Sequence, residues 1–224
     1  MALELWWGSG SPYSWRALLA LEHKRLPYES HLLQFSKQEH RSPEMTKMNP
    51  RGRVPVLKDG DYVVFESLAV LYYLDRKYPQ YPIFGRDAEE GAVIVRVINE
   101  FQAYTEAALM TIVRAMLDGR PLSQELSQAM HVVAGEARTI EGRLAKSDWI
   151  VGDGASAADL AIYPCIRLLH RALTRPAAAE LSARFLPAEV HYPALARWMQ
   201  RVEALPGFDR TWPPHWRAAD RRQA

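Results

Sequence analysis

The 224-residue chain predicts an α/β unit of about eighty residues followed by an all-helical one. Three observations predict this. Short β-rich runs alternate with helical spacing up to about residue 80, in the order β-α-β-α-β-β-α, and only helical spacing follows. A stretch rich in proline and tyrosine, residues 79–86, lies between the two textures and suits a linker. The composition, 48% hydrophobic and 24% charged, is that of a globular chain with a sizeable core. The boundaries read in this way are 1–80 for the first domain, 81–90 for the linker and 91–224 for the helical domain.

Leu3 to Trp7 is an apolar run ending at Gly8 and Gly10 and reads as a buried strand. Ser11-Pro12 then opens a helix, serine as cap and proline at a position that loses no hydrogen bond. That helix closes near Leu26-Pro27, and Tyr28 to Leu33 is the second strand. Ser42-Pro43 begins a short helix ending at Asn49-Pro50. Val54 to Lys58 and Tyr62 to Phe65 flank Asp59-Gly60-Asp61, a hairpin signal. Ser67 opens a helix carried by Leu68, Leu71, Tyr72 and Leu74 and stopped at Tyr78-Pro79. Beyond the linker the spacing predicts helices over Asp87 to Asp118, Leu122 to Leu144, a third beginning at Ser156, then Ala177 to Phe185 and Ala194 to Ala204. Ser156 and Asp159 form an S-x-x-D capping signature, and Pro164 is expected to interrupt and kink the helix they open.

Several function classes are excluded early. The 28 basic and 26 acidic residues leave a net charge of +2, too little to point to nucleic acid or an anionic membrane. No run of ~18 apolar residues predicts a membrane span. Met1 to Gly10 lacks the basic region and apolar stretch of a signal peptide. The single cysteine, Cys165, rules out an intrachain disulfide and fits a reducing compartment; we expect a cytoplasmic protein. The seven histidines show no H-x-x-x-H or related spacing, so no metal site is expected. Trp212 to Trp216 is expected to pack as a C-terminal cover, and Arg217 to Ala224 to fray.

The first strand-to-helix turn, Gly8-Ser9-Gly10-Ser11-Pro12-Tyr13, half-matches G-x-G-x-x-G, but Tyr13 replaces the third glycine and no second βαβ half follows. Ser11-Pro12-Tyr13-Ser14 stands where thioredoxin-like redox proteins carry C-x-x-C. Serine forms no disulfide, so dithiol exchange is excluded. What remains is a helix N-terminus, with free N–H groups and a positive dipole end that stabilise an anion.

Four segments together resemble the cytosolic glutathione S-transferases of the serine-type classes (phi, theta, zeta, tau), and the resemblance runs nearly end to end. They are Ser11 to Arg16; Glu39 to Glu44 with Asn49 to Leu57; Glu66-Ser67; and Gly152-Asp153 with Ser156 to Leu160, followed by Tyr192 to Trp198. The resemblance implies a thioredoxin-like domain followed by an all-helical one and a glutathione transferase activity. It implies a homodimer, and no cofactor beyond the co-substrate glutathione. Its partners would be glutathione and a small electrophile.

The resemblance favours Ser11 over Ser9 and Ser14 as the hydroxyl that holds the glutathione thiolate, although a helix cap alone explains Ser11 equally well. Free cysteine has a pKa of ~8.5, so lowering a thiol by ~2 units needs about 2.7 kcal/mol of preference for the anion. A hydroxyl bond to a charged acceptor supplies ~1.5–3 kcal/mol, and a helix N-terminus ~0.3–1 kcal/mol. One serine at a helix start is sufficient. The resemblance further implies that His40, Arg41 and Arg53 meet the glycyl carboxylate. It implies that Val54 pairs with the peptide backbone beside a cis Pro55, and that Ser67 and Glu66 hold the γ-glutamyl carboxylate and amine. The second-substrate pocket is expected between the domains, lined by Tyr13, Tyr104, Ala108, Thr111 and Arg114. Two other readings stay open: a glutathione-dependent cis–trans isomerase of the maleylacetoacetate type, whose second site cysteine is here Tyr13, and a non-catalytic relative that binds partners.

Overall fold

The computed structural model describes residues 3–220, with side chains up to Arg217. The first unit runs to Ile83 and is completed by the chain from Leu205 on. Its strands are β1 (Leu3–Gly8), β2 (Tyr28–Leu33), β3 (Val56–Asp59) and β4 (Tyr62–Phe65), in the order β2-β1-β3-β4. β1 is parallel to β2 and antiparallel to β3, and the β3–β4 hairpin is antiparallel. β1 is central and nearly wholly buried, and it is apolar apart from Glu4. Helices α1 (Pro12–His23) and α3 (Ser67–Lys77) pack on each other. The short α2 (Pro43–Met48) buries Met45 against Trp6 and Val56. β3 starts two residues later than the sequence suggested, since Val54-Pro55 is a cis peptide standing before the strand.

The expected linker is not loose at its start. The buried Lys24 ammonium donates to the Gln80 and Tyr81 carbonyls at 2.7 and 3.0 Å and lies 3.6 Å from the buried Asp75 carboxylate. Asp75 in turn accepts from the Ile83 N–H at 2.7 Å. These bonds tie residues 80–83 to the first unit, and helix already resumes at Ala88.

The second unit, Phe84–Ala204, is helical. α4 (Ala88–Phe101), a π-helical segment (Gln102–Glu106) and α5 (Ala107–Leu117) follow one another directly. Then come α6 (Gln124–Leu144), α7 (Ala157–Leu173), α8 (Ala179–Ser182), α9 (Ala188–His191) and α10 (Pro193–Glu203). α5 packs against α6 and α7, α4 against α7, and α10 against α6. α7 runs through Pro164 as one helix, with the proline in its interior. The helix expected over 177–185 is instead a 3₁₀ turn (Pro176–Ala178) and the single turn of α8, which no side chain caps.

Asp159 organises the start of α7. Its carboxylate is fully buried and accepts from the Ile150 N–H (3.0 Å), the Ser156 N–H (2.9 Å), the Ser156 hydroxyl (2.7 Å) and the Trp198 indole N–H (2.8 Å). The capping signature is thus a hub that joins α7, α10 and the loop before them.

The C-terminal segment departs from the domain division read in the sequence, which put all of 91–224 in the helical domain. After α10 the chain rejoins the first unit as α11 (Phe208–Thr211) and α12 (Pro214–Asp220). The cause is Trp15. Its indole N–H donates to Thr211 Oγ1 at 2.8 Å, and its ring meets Trp212 and Trp216 edge-on at 5.6 and 5.4 Å. Arg210 adds an ion pair to the buried Glu22 carboxylate. The expected fraying therefore does not begin at Arg217, which sits in α12; residues 221–224 lie outside the described residues.

Candidate functional site

The turn between β1 and α1 is shaped by two glycines. An added Cβ at Gly8 would stand 2.0 Å from Phe35 Cζ, so only glycine lets that ring lie on the end of β1. Gly10 has φ +80, a conformation that favours glycine. The Ser11 N–H then donates to the Gly8 carbonyl at 3.1 Å, and the Trp15 N–H to the Ser11 carbonyl at 3.0 Å.

The three serines of this turn have different jobs. Ser14 is fully buried and its hydroxyl accepts from the Gly8 N–H at 3.2 Å, tying strand to helix. Ser9 Oγ lies 2.6 Å from His215 Nδ1. Ser11 is half-buried at the cap of α1, where its oxygen accepts from the Ser14 N–H at 3.2 Å. Among the described residues the Ser11 hydroxyl donates to nothing, which leaves its proton available. α1 carries no acidic residue in its first turn, so its positive end is uncompensated.

A second helix start lies beside it. Glu66 caps α3 with φ 67 and ψ 116, a positive-φ conformation that costs a residue with a Cβ ~1–3 kcal/mol. Ser67 is buried, and Arg16, 1% exposed, donates from Nη1 to Ser67 Oγ at 3.3 Å. The Arg16 guanidinium also lies 4.9 Å from the centre of the Tyr13 ring. A helix start with no acidic residue in its first turn favours an anion there. Arg16 served in the sequence only as part of a motif; nothing in its spacing marked it as buried.

His40, Arg41 and Arg53 converge through a loop held by Asn49. That side chain, 1% exposed, donates to the Arg53 carbonyl at 2.8 Å and accepts from the Arg51 N–H at 3.1 Å. Gly52, at φ +56, packs on the His40 carbonyl and the Arg41 stem. Burial, helped by the Arg41 and Arg53 charges, holds the His40 imidazole below its ordinary pKa. Its Nδ1 is buried without a hydrogen-bond partner among the described residues. The Phe35 ring meets His40 edge-on at 5.1 Å. Phe35 thus touches both the Gly8 turn and the basic loop, a bridge that no local signal in the sequence marks.

In the helical unit Tyr104 sits in the π segment and is 73% exposed. Ala108 and Thr111 are half-buried and Arg114 is exposed on α5, and the Thr111 hydroxyl donates to the Ala107 carbonyl at 3.0 Å. Away from these residues, Glu4, Glu29 and His31 bring their donor atoms within 4.8 Å of one another on β1 and β2. Lys58 takes one Glu4 oxygen at 2.9 Å and His31 the other at 3.2 Å. That grouping reads as an ion-pair network. Among the described residues no helix is long and apolar enough to cross a membrane.

Residues 10–77 match the profile described as Glutathione S-transferase, N-terminal domain, and residues 103–206 the C-terminal domain of the same family. Glutathione S-transferase A of Pleuronectes platessa is 31% identical, over 96% of this chain and 92% of that protein. The crystal structure of a glutathione S-transferase from the Antarctic clam Laternula elliptica superposes with a TM-score of 0.81 at 29% identity, covering 96% and 94% of the two chains. A structure of glutathione S-transferase-I bound with lactoylglutathione gives a TM-score of 0.76 at 27% identity, over 94% and 98%. Profile, sequence and structure agree, and the chain belongs to the glutathione S-transferase family.

Proposed function

We propose that the protein joins the thiol of glutathione to a small electrophile, with Ser11 as the residue that stabilises the thiolate. The observation that carries this reading is the Ser11 hydroxyl, whose proton is uncommitted at the positive end of α1. On binding, the thiol passes its proton to solvent and the Ser11 O–H donates to the sulfur. The sulfur then forms a C–S bond to the electrophile, and either a leaving group departs with its electron pair or the new carbanion takes a proton. Serine stays chemically unchanged.

The rest of the peptide is read in the same terms. Ser67 and its N–H take the γ-glutamyl carboxylate over the buried Arg16 charge, and Glu66 takes the amine. The Val54 backbone, before Pro55, pairs with the cysteinyl segment. Arg41 and Arg53 meet the glycyl carboxylate as charged donors, and a neutral His40 adds one hydrogen bond. For the electrophile we keep Tyr13, Tyr104, Ala108, Thr111 and Arg114; the exposure of Tyr104 supports the choice. Tyr13, where the isomerase pattern has cysteine, favours transfer over isomerisation. We further propose a cytoplasmic homodimer: Tyr62 and Tyr72 in the first unit, and Val93 and Val95 in the second, are exposed large side chains suited to a second copy.

Calorimetry with glutathione and ultraviolet absorbance of the bound thiolate against pH test this. Wild type is expected to bind and to ionise the thiol near neutral pH, and Ser11→Ala to bind without ionising it. Normal ionisation in Ser11→Ala would move the role to Ser9. Absence of glutathione binding would favour the partner-binding reading, and dicarboxylate turnover the isomerase.

A further inference from the structure

The profile of the family's C-terminal domain ends at residue 206, yet the next stretch of chain reaches the turn that carries Ser11. Two grips are visible. On the buried face of α1, Trp15 is held by Thr211, Trp212 and Trp216. At the mouth of the turn, His215 Nδ1 lies 2.6 Å from Ser9 Oγ. The imidazole also covers the backbone of the next residue: an added Cβ at Gly10 would stand 2.8 Å from His215 Cε1 and 3.3 Å from Nε2. The His215 ring therefore makes a polar contact and a packing contact with the two residues immediately before Ser11, and it meets the Trp216 ring edge-on at 6.0 Å. Trp216, 2% exposed, anchors it from the neighbouring position.

We propose that His215 is a positioning residue of the thiolate site, which sets the Ser11 hydroxyl by holding the Ser9–Gly10 turn. This rests on Ser11 being the thiolate-stabilising residue. A hydroxyl bond to sulfur is directional and loses strength steeply when its donor is misaimed, and small misplacements of reacting groups are costly. A turn with a glycine at φ +80 has little intrinsic preference for that conformation. The Trp15 cluster fixes the helix and reaches the turn at Gly10, where Trp216 Nε1 lies 3.7 Å from an added Cβ; the contact to Ser9 comes from His215.

The test uses the full chain with His215→Leu, His215→Asn, Ser9→Ala and the double variant. Asn keeps a hydrogen-bonding group close to the Nδ1 position. His215→Leu is expected to raise the pKa of bound glutathione and to lower kcat/KM about five-fold, the worth of one ordinary hydrogen bond, mainly in kcat. His215→Asn is expected to restore most of the loss, and Ser9→Ala with His215→Leu to be no worse than either alone. An unchanged thiol titration in His215→Leu, or effects of the two substitutions that simply add, would overturn the proposal. Amide exchange at Gly10 and Ser11 in the unliganded protein is read in parallel. It should quicken in His215→Leu and recover in His215→Asn. If Ser11→Ala ionises the thiol normally while exchange behaves as expected, the functional reading fails and the His215 hold on the turn stands. If exchange at Gly10 is unaltered, His215 does not hold the turn.

Discussion

Replacing Asp159 by asparagine changes one atom's chemistry at the centre of the helical unit. The Ile150 and Trp198 N–H groups both point at Oδ1 and neither can reverse, so the asparagine oxygen must stay there. Its NH₂ then occupies the Oδ2 place and faces the Ser156 N–H, a second donor; only the Ser156 hydroxyl can turn to accept. One buried backbone donor is left unsatisfied, at ~1–3 kcal/mol, and the two bonds at Oδ1 fall from charge-assisted to neutral at about 1 kcal/mol each. Burial raises the pKa of Asp159, so removing the charge returns part of this. The net loss is about 3 kcal/mol, or ~6–12 °C in thermal midpoint for a chain of this size. Asp159→Ala removes every acceptor and adds a cavity, and should not accumulate folded. Ser156→Ala, which gives up the hydroxyl bond to Asp159 and the side-chain half of the capping box, should cost about 1 kcal/mol. Calorimetric melting, with near-ultraviolet dichroism of the tryptophans, reads the outcome. A midpoint for Asp159→Asn within about 2 °C of wild type would show that the four bonds do not act on an ionised carboxylate, and the hub would lose its energetic meaning.

Three further outcomes are expected. Lys24→Met leaves Asp75 with Arg76 as its cation, at 2.7 Å, and frees two carbonyls of residues 80 and 81; a loss of about 1–3 kcal/mol should appear as faster proteolysis between the units, and unaltered cleavage there would count against the tether. Ser14→Ala should destabilise the protein by ~1–3 kcal/mol by orphaning the Gly8 N–H, while bound glutathione still ionises; loss of ionisation with unaltered stability would exchange the roles given to Ser14 and Ser11. The His40 ring, followed by proton resonance, should titrate below 6.5 and move up in Arg53→Gln. Because the folded pKa is depressed, the native state binds fewer protons than the unfolded one. The stability linked to His40 is therefore complete above about pH 6.5 and is lost as pH falls through the folded value.

Much of the fold was legible because its signals are local. Serine and proline mark the starts of α1 and α2, Asp-Gly marks the hairpin, and Ser156 with Asp159 marks α7. The helix expected over 177–185 failed for the same reason: its residues have helical propensity but no cap, and tertiary packing left one turn. For the site, motif order pointed to Ser11, the loop around His40 and the Glu66-Ser67 pair. It did not show that Arg16 is buried, that Asn49 staples the basic loop, or that Phe35 bridges it to Gly8. Those are facts of long-range placement, and no periodicity encodes them. The return of the chain after Leu205 was half visible. The tryptophans announced a cover, but nothing in 212–216 said that the surface covered is that of Trp15.

The return of the C-terminal segment to Trp15 also governs the order in which the protein can be made. The sheet and its two long helices are translated before the helical unit, and their aromatic seam stays open until the residues after α10 have followed. Throughout translation of the helical unit, the growing chain displays the Trp15 surface and a Glu22 carboxylate that still lacks its Arg210 partner. Synthesis of the segment after Leu205 is then the event that completes the unit made before it. A premature stop just after α10 would spare the whole helical unit and yet leave the N-terminal unit unfinished.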